Sequence, residues 1–121
     1  MTLRETACRA NLDLAQSGLV VETFGNLSVV DRAAGVFAIK PSGVPYAQLT
    51  PDKIVLVSID TGRVVEGQLR PSSDTPTHLE LYRAFNCGAI VHTHSEYATM
   101  FAQARTAIGC MGTTHADYFR G

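Results

Sequence analysis

Excess charge of either sign is missing from this sequence. Its 121 residues carry 10 Lys and Arg against 11 Asp and Glu, a net charge of −1. Acids and bases are interspersed and form no basic stripe, which argues against nucleic acid as the main partner. Long hydrophobic runs are missing too. None approaches the ~20 residues of a membrane span, and the opening Met-Thr-Leu-Arg-Glu lacks the apolar centre of a signal peptide. Cysteine is sparse. Cys8, Cys87 and Cys110 are widely spaced, without a CxxC pair, and exclude a disulfide framework or a cysteine zinc site. All three read as small core residues. The set suits a reducing cytoplasm.

What is present suffices for one small domain. Hydrophobic residues make up 45% of the chain, so a core can be built. Residues 2–17 read as a helix, with Thr2 and Glu5 as a capping box and Gly18 just past its end. Leu27–Val30, Val36–Lys40, Ile54–Ile59 and Val64–Glu66 are rich in β-branched residues and bounded by turns. The connections at 31–35 and 60–63 read as hairpins, and Thr50-Pro51-Asp52 as a short helical turn. A helix is expected from Pro76 to about Phe85, with His78, Leu81, Tyr82 and Phe85 on one face. Ala89–His94 reads as a strand, and Ser95 as the cap of a helix through Gln103. This order predicts a layered α/β/α domain with a mixed, mainly antiparallel sheet over residues 1–121.

Polar clusters stand at the ends of these elements. On a strand, His92 and His94 point to the same face. Two imidazoles so placed can bind one Zn²⁺ at about 2.0–2.1 Å, or hydrogen-bond at a sheet edge. Asp74, in a Ser-Ser-Asp-Thr-Pro loop, can cap the following helix or complete a carboxylate-and-two-imidazole ligand set. Gly25-Asn26, Ser42-Gly43 and Ser72-Ser73 offer small residues, hydroxyls and backbone N–H groups of the kind that bind phosphate oxygens, although such pairs also simply make turns. Lys40 either adds a cation there or is a solvated surface charge. Asp117, beside His115, is either a general acid/base or a loop acid in water. His78 reads as a packed core histidine.

Taken together, five segments resemble the class II aldolase/epimerase family, on its L-ribulose-5-phosphate 4-epimerase branch. They are Thr-Phe-Gly-Asn-Leu-Ser (23–28), Val-Phe-Ala-Ile-Lys-Pro-Ser-Gly-Val (36–44), Arg-Pro-Ser-Ser-Asp-Thr-Pro-Thr-His (70–78), Ile-Val-His-Thr-His-Ser (90–95) and Gly-Thr-Thr-His-Ala-Asp-Tyr-Phe (112–119). The resemblance implies that Asp74, His92 and His94 bind one zinc ion per subunit. It implies that Gly25, Asn26, Ser42, Gly43, Ser72 and Ser73 hold the phosphate of a phosphorylated ketopentose, with Lys40 as the nearby candidate cation, and that Asp117 is a catalytic acid/base. Asp rather than Glu at position 74 and the Gly-Thr-Thr-His-Ala-Asp-Tyr run favour the epimerase over an aldolase. Family members are close to double this length and assemble as homotetramers with sites at subunit interfaces. A third zinc histidine and a catalytic tyrosine lie further along in them, so an N-terminal half is expected here. Arabinose and ascorbate catabolism both use this chemistry. Three rivals remain: an aldolase that releases its aldehyde, a non-catalytic interaction domain like the adducin head, and an inactive fragment.

Overall fold

The computed structural model describes residues 1–119. The chain opens with helix α1, Leu3–Gln16, whose N-cap Thr2 accepts from the Glu5 amide while Glu5 Oε2 accepts from the Thr2 amide. Both halves of the expected capping box therefore form. Strands β1 (Asn26–Asp31), β2 (Val36–Ile39), β3 (Val55–Ser58) and β4 (Val64–Glu66) follow. Between β2 and β3 lie two short 3₁₀ turns, Tyr46–Gln48 and Pro51–Lys53, the second of them at the expected Thr50-Pro51 signal. Helix α2 is Thr75–Ala84, strand β5 is Ala89–His92, and helices α3 (Glu96–Gln103) and α4 (Thr113–Phe119) end the described chain.

The five strands form one sheet in the order β4-β3-β2-β1-β5. Every described strand pair is antiparallel, so the mixed component expected of the sheet is not seen among the described residues. On one face α1 packs over β1 and β2, closing a core around Ala7, Cys8, Ala38, Leu49 and Ile54. On the other, Tyr82 of α2 joins Phe37, Ile39, Val55 and Val57. Helix, sheet and helix thus make three layers. None of the described helices is long and apolar enough to cross a membrane.

Several expectations are corrected. Strand β5 stops at His92, not His94. His92 pairs with Asn26, the first residue of β1, so beyond it there is no partner strand to extend the ladder. Phe85 leaves the expected apolar face and is 61% exposed, because its backbone is extended at φ −128°, ψ 145°. Of the cysteines, Cys8 is buried, Cys87 half-buried and Cys110 exposed, so only the first is a fully enclosed core residue. Ser95 stands at the N-cap of α3 without a side-chain capping bond. Asp117, for which one reading is a loop acid, lies on helix α4.

Candidate functional site

One pocket, of about 320 Å³, opens where the β1–β5 end of the sheet meets the start of α2. It is built by three loops that enter or leave strands. Gly25 turns the chain into β1 at φ +83°. A Cβ there would meet Val20 Cγ1 at 2.5 Å and the His92 carbonyl oxygen at 3.1 Å, so only glycine fits. Tyr46 Oη donates to the Gly25 carbonyl at 2.9 Å and pins the same turn. The loop after β2 and the loop before α2 are tied to one another. The Ser42 amide donates to the Arg70 carbonyl at 2.9 Å and the Ser72 amide to the Lys40 carbonyl at 3.1 Å.

Gly25, Asn26, Lys40, Ser42, Gly43, Ser72, Ser73, Asp74, His92 and His94 all line this pocket, joined by Thr23, Phe24 and Pro41. Asp117 does not line it. It lies exposed on α4, which comes from the 113–119 segment. Thr23, Phe24 and Pro41 carry no chemical signal of their own in sequence. Their closeness to predicted residues in the chain was the one clue.

The acid and the two histidines are held by neighbours. Asp74 sits at the N-cap of α2, yet its side chain makes no capping bond. Its carboxylate turns to the pocket instead: Asn26 Nδ2 donates to Asp74 Oδ2 at 2.5 Å, and His92 Nδ1 stands 3.0 Å from the same oxygen. The Asn26 amide also donates to Ser72 Oγ at 3.2 Å, which in turn accepts from the Asp74 backbone amide at 3.2 Å. His94 lies beyond the end of β5, but its ring still stacks on His92 with centroids 5.0 Å apart and a 22° interplanar angle. Phe24 covers the His94 ring at 5.7 Å.

Lys40 departs from the surface reading. It is 2% exposed, and its Nζ reaches only the carbonyls of Thr23 at 3.4 Å and Pro41 at 3.5 Å, lying 4.7 Å from the Tyr46 ring centroid. Burial lowers its pKa from the usual lysine range. Such a cation, lining a pocket beside Ser42, Gly43, Ser72 and Ser73, suits an anion that enters from solvent. Burial likewise raises the Tyr46 hydroxyl.

Among the described residues, no group of three or more His, Cys, Asp and Glu converges closely enough to cage an ion as placed. The donor types nevertheless fit a divalent transition ion: one carboxylate and two imidazoles share the pocket, and Asn26 Oδ1 is buried without a hydrogen-bond partner at its edge. As it stands, the Asp74–His92 contact occupies two of those donors with each other.

Residues 5–121 match the family described as class II aldolase and adducin N-terminal domain. Among solved structures, an L-fuculose 1-phosphate aldolase is 36% identical, with TM-score 0.79, over 86% of this chain and 49% of its own. YgbL from Escherichia coli, described as a candidate aldolase/epimerase/decarboxylase, is 33% identical with TM-score 0.72, over 83% of this chain and 47% of its own. The L-fuculose-1-phosphate aldolase from Thermus thermophilus is 30% identical with TM-score 0.75, over 98% of this chain and 59% of its own. The chain spans about half the length of the solved relatives it matches.

Proposed function

The chain belongs to the class II aldolase and adducin N-terminal domain family, and we propose that its pocket is the metal and phosphate site of an enzyme that epimerises L-ribulose 5-phosphate to D-xylulose 5-phosphate. One observation carries this reading. The acid, the two histidines, the buried lysine and the three Gly/Ser/Asn loops, which lie far apart in sequence, line a single pocket.

Within it, Asp74, His92 and His94 would hold a zinc ion, the Asp74–His92 contact giving way to it. Bound zinc would supply Lewis acidity to the sugar's carbonyl and neighbouring hydroxyl oxygens. The chain's own groups do the rest. Lys40 Nζ, the hydroxyls of Ser42, Ser72 and Ser73 and the amides of Gly43 and Ser73 take up the phosphate. Asn26 orients the Asp74 carboxylate through its 2.5 Å hydrogen bond.

The substrate's chemistry sets the rest of the demand. C4 is one carbon too far from the C2 ketone to lose its hydrogen as an acid. Inversion therefore proceeds by breaking the C3–C4 bond, turning the phosphorylated aldehyde over and re-forming the bond on its other face. A phosphate held by the Lys40 and serine loops keeps that fragment in place between the two steps. A base must accept the C4 hydroxyl proton as the bond breaks, and, since the aldehyde has turned over, a second acid on the opposite face must protonate the new C4 alkoxide. We assign one of these two roles to Asp117, the other falling to the tyrosine that lies further along in full-length family members. Since α4 stands apart from the pocket in its own chain, Asp117 would serve the pocket of a neighbouring subunit in a homo-oligomer.

Asp74, in place of Glu, and the Gly-Thr-Thr-His-Ala-Asp-Tyr run favour the epimerase. The L-fuculose-phosphate aldolases among the solved relatives favour the second reading, an aldolase. Product analysis separates the two. Incubation of the full-length enzyme with L-ribulose 5-phosphate and zinc is expected to give D-xylulose 5-phosphate, whereas these 121 residues alone are expected to be inactive; accumulation of the free phosphorylated aldehyde would replace the epimerase by the aldolase. The metal reading has its own test. About one zinc ion per chain is expected by elemental analysis, with loss in His92→Asn and His94→Asn. A folded chain that holds no zinc would sink it and leave the adducin-head type of interaction domain.

A further inference from the structure

Helix α2 lays one stripe of side chains, Asp74, His78 and Tyr82, along β1, where Asn26 and Ser28 alternate onto the same face. The contacts run in two levels. At the upper level Asp74 meets Asn26 and His92, which are paired across β1 and β5. At the lower level Ser28 Oγ is 2.7 Å from His78 Nδ1 and 2.8 Å from Tyr82 Oη. His78 is 1% exposed and Tyr82 1% exposed, so this second level is closed to solvent. His78 stands between the two, one helical turn after Asp74, and its backbone amide donates to the Asp74 carbonyl at 3.0 Å. With Nδ1 committed to Ser28, the opposite ring nitrogen is the one left for another partner. That nitrogen, Nε2, is buried without a hydrogen-bond partner.

An unpartnered buried ring nitrogen is costly, and its proton decides what it can do. A bare Nε2 offers only a lone pair, which a carboxylate cannot bind. A protonated Nε2 is a donor that a carboxylate oxygen can accept from. The lower level is consistent with the second tautomer: Tyr82 donates to Ser28 Oγ, Ser28 donates to Nδ1, and the ring proton is left on Nε2. Asn26 and His92 both engage Asp74 Oδ2, which leaves Oδ1 for a third donor.

We propose that His78 is a positioning residue: its Nε2–H supports the Asp74 carboxylate, across one bridging water or a small turn of that side chain, and fixes the rotamer that Asp74 presents to the pocket. Ser28 and Tyr82 set the tautomer that makes this possible. The consequence for metal affinity rests on the reading of Asp74 as a ligand; the tautomer and the link to Asp74 do not. Carboxylate ligands held by an outer donor in this way lose about 10- to 100-fold in metal affinity when the donor is removed.

The test uses the whole chain labelled with ¹⁵N-histidine and free of metal, with His78 assigned by comparison with His78→Gln. Long-range ¹H–¹⁵N correlation is expected to show the Nε2-protonated ring, and an Nδ1-protonated ring overturns the proposal. Asp74→Ala is expected to shift the His78 Nε2–H signal, and an unmoved signal overturns it equally. With zinc and a competing chelator, His78→Gln is expected to bind about 10- to 100-fold more weakly than the parent chain. Equal affinity, with Asp74→Ala weakened, overturns the positioning role while leaving the metal site standing. If the parent chain itself takes up no zinc, the metal reading fails and the two spectra alone decide for or against His78. Should His78→Gln not fold, Ser28→Ala keeps the ring in place. It is expected to release the tautomer into a mixture, and an unchanged spectrum counts against the proposal.

Discussion

Each face of the sheet buries one asparagine beside β1, and the two are satisfied very differently. Asn11, on α1 and 0% exposed, has every polar atom used. Its Nδ2 donates to the carbonyls of Ala7 and Leu27, both at 2.8 Å, and its Oδ1 accepts from the Leu27 amide at 2.9 Å. It closes the α1 face by stitching helix to strand. Asn26, 3% exposed on the α2 face, gives its amide to Ser72 and Asp74 but leaves Oδ1 without a partner. The orphaned His78 Nε2 lies on that same face. Around Asn11 the α1 face is closed as structure. The other is finished only in its apolar middle, around Phe37 and Tyr82, and left polar and incomplete at the β1–β5 end. Unmet hydrogen-bonding capacity in a pocket marks a place where stability has been set aside for a ligand.

The largest expected effect comes from acid. Burial, opposed by the Asp74 carboxylate and reinforced by His92, lowers the His78 pKa from 6.5 to about 4. The folded ring therefore stays neutral where the unfolded chain takes up a proton. Its contribution is complete above the unfolded value of 6.5 and is lost as pH falls toward 4, by about 3 kcal/mol. Urea unfolding across that range should show the loss, and His78→Gln should flatten it. An equal slope in that variant would place the acid sensitivity elsewhere.

Next comes Asn11→Ala, expected to cost about 2 kcal/mol, because the Leu27 amide and carbonyl lose their partner. Zinc uptake by the surviving folded protein should be unchanged. A smaller effect of opposite sign is expected for Lys40→Met. Replacing a buried cation that has only two long carbonyl contacts should stabilise the fold by about 1 kcal/mol. The same change should abolish binding of inorganic phosphate, read by calorimetry. The smallest change in stability belongs to Asn26→Ala, about 0.5 kcal/mol, since half of its capacity is unmet already. Zinc affinity should nevertheless fall, through the freed Asp74. If Asn26→Ala proved as destabilising as Asn11→Ala, the contrast between the two faces would disappear.

Much of this molecule is legible in its sequence because the signals are local. The Thr2–Glu5 capping box, the β-branched runs and the Thr50-Pro51 turn each act within a few residues. Where the reading slipped, a distant partner decided. Strand β5 ends at His92 because Asn26 is the last residue across from it. Lys40 looks like a surface charge, yet it is buried, its Nζ meeting the distant Thr23 carbonyl and its backbone carbonyl the Ser72 amide. Helix α4 carries two β-branched residues, Thr113 and Thr114, at its start, which weakens the local helical signal.

The same division separates the chemistry from its arrangement. Residue type and spacing named the acid, the histidine pair and the Gly/Ser loops, since metal and phosphate binding require those functional groups whatever the fold. Only the tertiary structure drew them into one pocket, set Asp117 outside it, and turned Asp74 from capping α2 toward Asn26 and His92. It also left one nitrogen of a core histidine without a partner. Those outcomes depend on which strand lies beside which and which helix stripe covers them, and no local pattern in the chain encodes that.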